Sequence, residues 1–307
     1  MAEAGASSPT PRAAGPVPPR GDAVLRVVNE FYEANPFPGF DPGKYETRGD
    51  LVRRASWYAQ RVDAEIPFEA SVVDVGCGTG QLACFLALKG RPVLGVDYSQ
   101  RSLALAQTLQ ERLALPTVEF RRVNLLEWEP PENAFDFVFC NGVLHHTSDP
   151  YGGFRKLVRM AKPGGRVVVG LYNRYGRLML LARRRVLSLL SRIDPQARDR
   201  AIRKQLTRHD SDDAKRHSWY ADQYEHPHES THTVAEVLGW FRENGLSYVS
   251  SFPNVELFGS GSKRIFRPRQ VAAWRQRPAA HLLVQLGWIF TQNAGGGYFV
   301  LVGQKRS

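Results

Sequence analysis

Residues 71–82 read Ser-Val-Val-Asp-Val-Gly-Cys-Gly-Thr-Gly-Gln-Leu. The β-branched run Val72, Val73 and Val75 predicts a strand buried on both faces of a parallel sheet. Gly76, Gly78 and Gly80 follow at once, and glycine accepts positive φ and lets backbone approach a ligand closely. The helix expected from Gln81 presents free N–H groups at its N-terminus. Strand, glycine turn and helix in succession predict a nucleotide-type site. The spacing Gly-x-Gly-x-Gly differs from the Gly-x-Gly-x-x-Gly of dinucleotide sites.

The pattern continues downstream. Pro92-Val-Leu-Gly-Val-Asp97-Tyr-Ser reads as a second strand ending in an acid, placed to accept hydrogen bonds from ribose hydroxyls. The plainer alternatives are that Asp74 caps the glycine turn and Asp97 caps the next helix. Thr117–Leu125, Ala134–Asn141 and Lys162–Gly170 read as strands three to five. Gln81–Leu88, Gln100–Leu113 and Tyr151–Ala161 read as crossover helices, and Leu246–Phe252 and Tyr298–Gly303 as the last two strands.

From Val72 to about Gly170 these motifs resemble the class I S-adenosylmethionine (SAM)-dependent methyltransferases. Within that family they are similar to the small-molecule methylases broadly labelled ubiquinone/menaquinone-type. The resemblance implies an α/β fold: a doubly wound, seven-stranded, mostly parallel, Rossmann-like sheet with an antiparallel last strand. It also implies an N-terminal helical cap and an inserted helical lid. The cofactor would be SAM and the product S-adenosylhomocysteine. Asp74, Gly76, Cys77, Gly78, Thr79, Gly80 and Gln81 would hold the methionine part, Asp97 the ribose, and Tyr98 or Ser99 the adenine face. Asn124 stands where many members have Asp, and its carbonyl oxygen still accepts from the adenine amino group. Leu125 would offer a backbone N–H to the ring, and Asn141 would open towards the methyl group. In the cap, Tyr32, Tyr45 and Arg48 are candidates for the SAM carboxylate or the acceptor; the alternative is that the aromatics merely pack the cap.

The 307 residues suit one α/β domain with additions. Residues 1–21, rich in Ala, Pro, Gly and Ser, are expected to be disordered and lack an apolar signal-peptide core. Residues 22–66 read as the cap and 67–307 as the methyltransferase domain, with insertions at 172–232 and 253–293. No apolar run is long enough for a transmembrane helix. Cys77, Cys84 and Cys140 show no metal spacing, and their odd number suits a reducing cytoplasm. The net charge of +11 is concentrated between Tyr172 and Leu206, with ten Lys and Arg against two Asp.

Two clusters carry further chemistry. His145 and His146 follow strand four, where a histidine can act as base or orient a substrate. The stretch Trp219–Thr233 gathers Asp222, Tyr224, His226, His228, Glu229 and His232. It is either an acceptor pocket supplying a base, a buried network fixing the lid, or a metal site through His226, Glu229 and His232. Pro227 argues against a ligand-aligning helix, so no metal is expected. The catalytic candidates are His226, Glu229, Tyr224, His146 and Asn141.

Residues 174–204 predict a helix with Met179, Ala182, Val186, Leu189 and Ile193 on an inner face and Arg183, Arg184, Arg185 and Arg192 outside. Beyond a solvated lid, that basic face suits an anionic membrane surface or RNA. Aromatics in both accessory segments favour a small-molecule or lipid-like acceptor. An RNA methyltransferase and a non-catalytic SAM-binding module are the alternatives.

Overall fold

The computed structural model describes residues 21–194, 196, 213–257, 264–267, 277–292 and 296–307. The expectation of disorder for residues 1–21 falls almost wholly outside them, as does most of 195–204.

Seven strands form one sheet in the order β3-β2-β1-β4-β5-β7-β6. They are β1 (Val72–Val75), β2 (Val93–Asp97), β3 (Val118–Arg122), β4 (Phe135–Asn141), β5 (Ala161–Tyr172), β6 (Leu246–Phe252) and β7 (Tyr298–Lys305). The first five pair in parallel, and β7 runs antiparallel to both β5 and β6. The chain winds outward from β1 in one direction and from β4 in the other. Their carboxyl ends therefore splay at a topological switch point, where open α/β sheets bind ligands.

Period-two alternation divides the core into two layers. Val72, Val93 and Val118 pack on one face with helices α4 (Gln81–Ala87) and α5 (Gln100–Arg112). Val73, Val75 and Val138 pack on the other with α6 (Pro150–Met160), α9 (Val234–Glu243) and α10 (Pro278–Thr291). Asp149 caps α6, and the Thr233–Glu236 capping box starts α9.

The N-terminal segment is three helices: α1 (Gly21–Ala34), α2 (Arg48–Arg54) and α3 (Trp57–Glu65). Ser56 separates α2 from α3, because its side chain accepts the Ala59 N–H and opens a new helix. Between strands β5 and β6 lie α7 (Leu178–Ile193) and α8 (Asp213–Tyr224).

The predicted inner face of α7 is corrected. Leu180 and Leu187 are buried, whereas Met179, Val186 and Leu189 face out. Arg177, just before the helix, and Arg184 turn inwards to the same carboxylate.

Candidate functional site

A cavity lies over the carboxyl ends of β1, β2 and β4, roofed by α1. Gly76, Gly78, Asp97, Tyr98, Ser99, Asn124, Leu125 and Asn141 line it, with Leu25, Asn29, Tyr32, Phe37 and His146. The glycine turn is shaped by contacts as well as by torsion. Gly78 has φ +53°, and a Cβ there would collide with the Phe37 carbonyl. The Thr79 N–H donates to that carbonyl and its hydroxyl donates to the Pro38 carbonyl at 2.7 Å. The cap thus seats directly on the turn.

Asp97 accepts the Gly78 N–H on one carboxylate oxygen and the Ser99 N–H on the other, both at 2.8 Å. Burial raises its pKa against those bonds. Asp74 sits beneath the turn, and burial, then the charge of Asp97, push its carboxyl up to about 7. The side chain of Asn124 accepts the Leu126 N–H at 3.2 Å. Asn141 lies between Tyr58 and Tyr298, each 3.4 Å away. Cys77 is buried under the turn, and Thr79, Gly80 and Gln81 lie behind the cavity wall rather than on it.

Asp97 at the end of β2, the glycine turn bound to it and Asn124 just past β3 share one cavity. Residues 73–169 match the family described as "Methyltransferase domain". Residues 73–169 form a class I SAM-dependent methyltransferase domain. The ubiquinone biosynthesis O-methyltransferase of Pseudomonas putida is 39% identical over 131 residues, 42% of this chain and 54% of that enzyme. The chain thus spans about half the length of the curated enzymes of this kind that it matches. An uncharacterized protein of Synechococcus is 26% identical over 292 residues, 85% of this chain and 69% of that one. The solved structure of PKMT2 from Rickettsia typhi is similar in fold, with a TM-score of 0.55 at 16% identity. That alignment covers 78% of this chain and 51% of PKMT2.

Beside the methyltransferase cavity the inserted segment builds a buried polar network. Asp222 is its centre, accepting from Tyr32 at 3.0 Å, Tyr172 at 2.6 Å and Gln223 at 2.8 Å. Arg177, wholly buried, lies 3.6 Å over the Tyr172 ring and forks onto both oxygens of Glu229, at 3.2 and 2.6 Å. It also donates to Gln223 and to the Gly296 carbonyl. Burial opposes ionisation of Glu229, but Arg177 and Arg184 hold its carboxyl below the usual range. His146 and His226 stack with ring centroids 3.6 Å apart. Burial pushes them down to about 4 and about 3, so both imidazoles are neutral at pH 7.

Five expected residues stand elsewhere. Glu229 is committed to Arg177 and Arg184 and does not line the cavity. Tyr224 stacks on Tyr220 away from it. Tyr45 is buried against Phe40, and Arg48 donates to the Leu113 and Ala114 carbonyls at the end of α5. His232, one of three residues weighed as metal ligands, is bound to Glu236 and Ser230 instead. His226 does not line the cavity either, but it packs against Tyr32 and His146, which do. Asp222 has no local signal: it lies in α8, His226 lies two residues past the end of that helix, and its partners Tyr32 and Tyr172 are remote in the chain.

Proposed function

We propose that the protein transfers the methyl group of SAM to a small-molecule or lipid-like acceptor. The observation that carries this is the single cavity joining Asp97, Asn124, Leu125, Gly76, Gly78 and Asn141, with Asp74 beneath. Asp97 would take the ribose, Asn124 and Leu125 the adenine, and the turn with Asp74 the methionine part, leaving the methyl group towards Asn141 and His146. An acceptor lone pair forms the bond to the methyl carbon as the carbon–sulfur bond breaks. That electron pair stays on sulfur, giving S-adenosylhomocysteine, and any acceptor proton passes to a base or water. Alignment and exclusion of water are the protein's main contributions. The names of the matched O-methyltransferases support a small acceptor with a reactive oxygen, and PKMT2 has a structure in complex with AdoHcy.

A second surface bears on where the acceptor is met. α7 lies against α10, and these helices leave Val186, Leu189, Leu190, Leu283, Leu286 and Phe290 in water. Apolar residues beside Arg183 and Arg185 favour an anionic lipid surface over RNA, which asks for a polar basic face. Among the described residues no helix is long and apolar enough to cross a membrane. Cys77, Cys84 and Cys140 are free thiols, in keeping with a cytoplasmic protein.

The test supplies methyl-labelled SAM and a cell extract separated into small-molecule, lipid, RNA and protein fractions. Label in the small-molecule or lipid fraction, lost in Asp97→Ala, is expected. Label confined to RNA would replace the acceptor class. SAM binding without label in any fraction would support a non-catalytic module.

A further inference from the structure

The helix that roofs the cofactor cavity, α1, covers one half of it. It packs on α5. Near its C-terminal end the Glu33 carboxylate accepts the Gln100 N–H at 2.6 Å and the Arg101 N–H at 3.2 Å. Those amides open α5, directly after Asp97, Tyr98 and Ser99. At the other end Gly21 lies against Ser148, whose hydroxyl is 3.3 Å from where a Cβ would stand. The glycine turn is covered instead by Phe37 and Pro38. α1 therefore stands over the adenosine half of the cavity and leaves the methionine half to the loop that follows it.

Leu25, Val28, Asn29 and Tyr32 are the residues of α1 that line the cavity. Leu25, Asn29 and Tyr32 recur at helical spacing and share one face. Leu25 and Val28 have apolar side chains, and Tyr32 gives its hydroxyl to Asp222. Asn29 is different. Its side-chain carbonyl oxygen is buried and has no hydrogen-bond partner. An amide on the inner face of a helix costs stability unless something bonds to it, and buried polar side-chain atoms are nearly always satisfied. The acceptors on the opposite wall are already in use. Asp97 accepts the Gly78 and Ser99 amides, and Asn124 accepts the Leu126 amide. The adenosine part of SAM brings an amino group and ribose hydroxyls, all of which donate. The Asn29 carbonyl has both lone pairs to offer them, and rotation about its broad χ2 torsion turns the oxygen to a bound ligand.

We propose that Asn29 is a cofactor-binding residue whose side-chain carbonyl accepts a hydrogen bond from the adenosine part of SAM. This rests on the SAM reading of the cavity. Asn29 lies outside residues 73–169, so no motif of the methyltransferase domain announces it. Its place on the roof also gives α1 a direct hold on the ligand that it covers.

The full-length protein, Asn29→Leu, Asn29→Ala and the control Glu30→Gln, on the exposed side of α1, are titrated by calorimetry with SAM, S-adenosylhomocysteine and 5′-methylthioadenosine, which lacks the amino-acid end. Both Asn29 variants should bind all three ligands about 10-fold more weakly than the parent, because the adenosine part is common to them. Glu30→Gln should bind as the parent does. Asn29→Leu keeps nearly the same shape and removes an unpartnered oxygen. The ligand-free variant should therefore unfold in urea at the same or a higher concentration than the parent. A purely structural Asn29 would move the two readouts the other way, with stability lost and affinity kept. Unchanged affinity in both Asn29 variants overturns the proposal. So does a loss confined to SAM and S-adenosylhomocysteine, which would place Asn29 at the methionine end. A parent that binds none of the three ligands contradicts SAM recognition and removes the role of Asn29 with it, whereas a parent that binds them beside unaffected variants counts against Asn29 alone.

Discussion

Asp97 at the end of β2 accepts the backbone N–H of Gly78 in the turn after β1, at 2.8 Å. One carboxylate thus braces the turn that it would share a ligand with. Gly78 is fixed from the other side as well, since a Cβ there meets the Phe37 carbonyl of the cap at φ +53°. Gly78→Ala is expected to cost about 1–3 kcal/mol of stability, for strained backbone and a displaced cap. Urea unfolding measures it, and SAM affinity should fall in parallel. A variant as stable as the parent would show that the cap does not rest on this turn.

Asp74 makes the site sensitive to pH. Its carboxyl is pushed up to about 7 by burial and by Asp97, whereas in the unfolded chain it titrates near about 3.9. The folded protein therefore holds a proton that the unfolded chain gives up. This contribution to apoprotein stability is full below about pH 4 and is lost as pH rises through about 7. The cationic methionine end of SAM favours the ionised carboxylate, so SAM affinity should rise over about pH 6–8, whereas apoprotein stability falls over about pH 4–7 and then levels. Calorimetry across that range checks the slope, and Asp74→Asn should flatten it. An unchanged slope in Asp74→Asn would assign it to other groups.

Arg177 and Glu229 form a buried pair, and breaking such a pair from one side costs about 3–5 kcal/mol. Arg177→Met should therefore unfold at markedly lower denaturant than the parent, whereas the doubly altered Arg177→Met/Glu229→Leu recovers part of the loss. Glu229→Gln, if it folds, should keep SAM affinity. A Glu229→Gln protein of full stability that has lost methyl transfer would return Glu229 to the acceptor site.

Lipid contact through α7 and α10 predicts salt-sensitive binding to anionic vesicles. Phe290→Asp and Leu189→Asp should each reduce the bound fraction several-fold, with little change in SAM affinity because both side chains are exposed. Equal binding by these variants would remove the membrane surface from the proposal.

The sheet was legible because its signals are local. Val72–Val75 with the glycine turn, Asp97 at a strand end and the Thr233–Glu236 box each lie within a few residues, and β6 has the predicted bounds Leu246–Phe252. The lid was not, because its decisive partners are remote. α7 carries apolar residues on two sides, and Arg177 and Arg184 select the inner one through Glu229. Asp222 draws its partners from α1, β5 and its own helix, and Tyr32 lies 190 residues away. Tyr45 and Arg48 carry residue types suited to a ligand, but their neighbours, Phe40 and the end of α5, were not readable from spacing.

The most direct measurement is isothermal calorimetry of SAM and S-adenosylhomocysteine binding to the full-length protein and to Asp97→Ala, with NAD as control. One site per chain is expected for both adenosyl ligands and none for NAD. Loss of a buried charged acceptor in Asp97→Ala should remove about 2–3 kcal/mol, more than roughly 30-fold in affinity. No SAM binding, or equal affinity in Asp97→Ala, would contradict SAM recognition at the ends of β1 and β2.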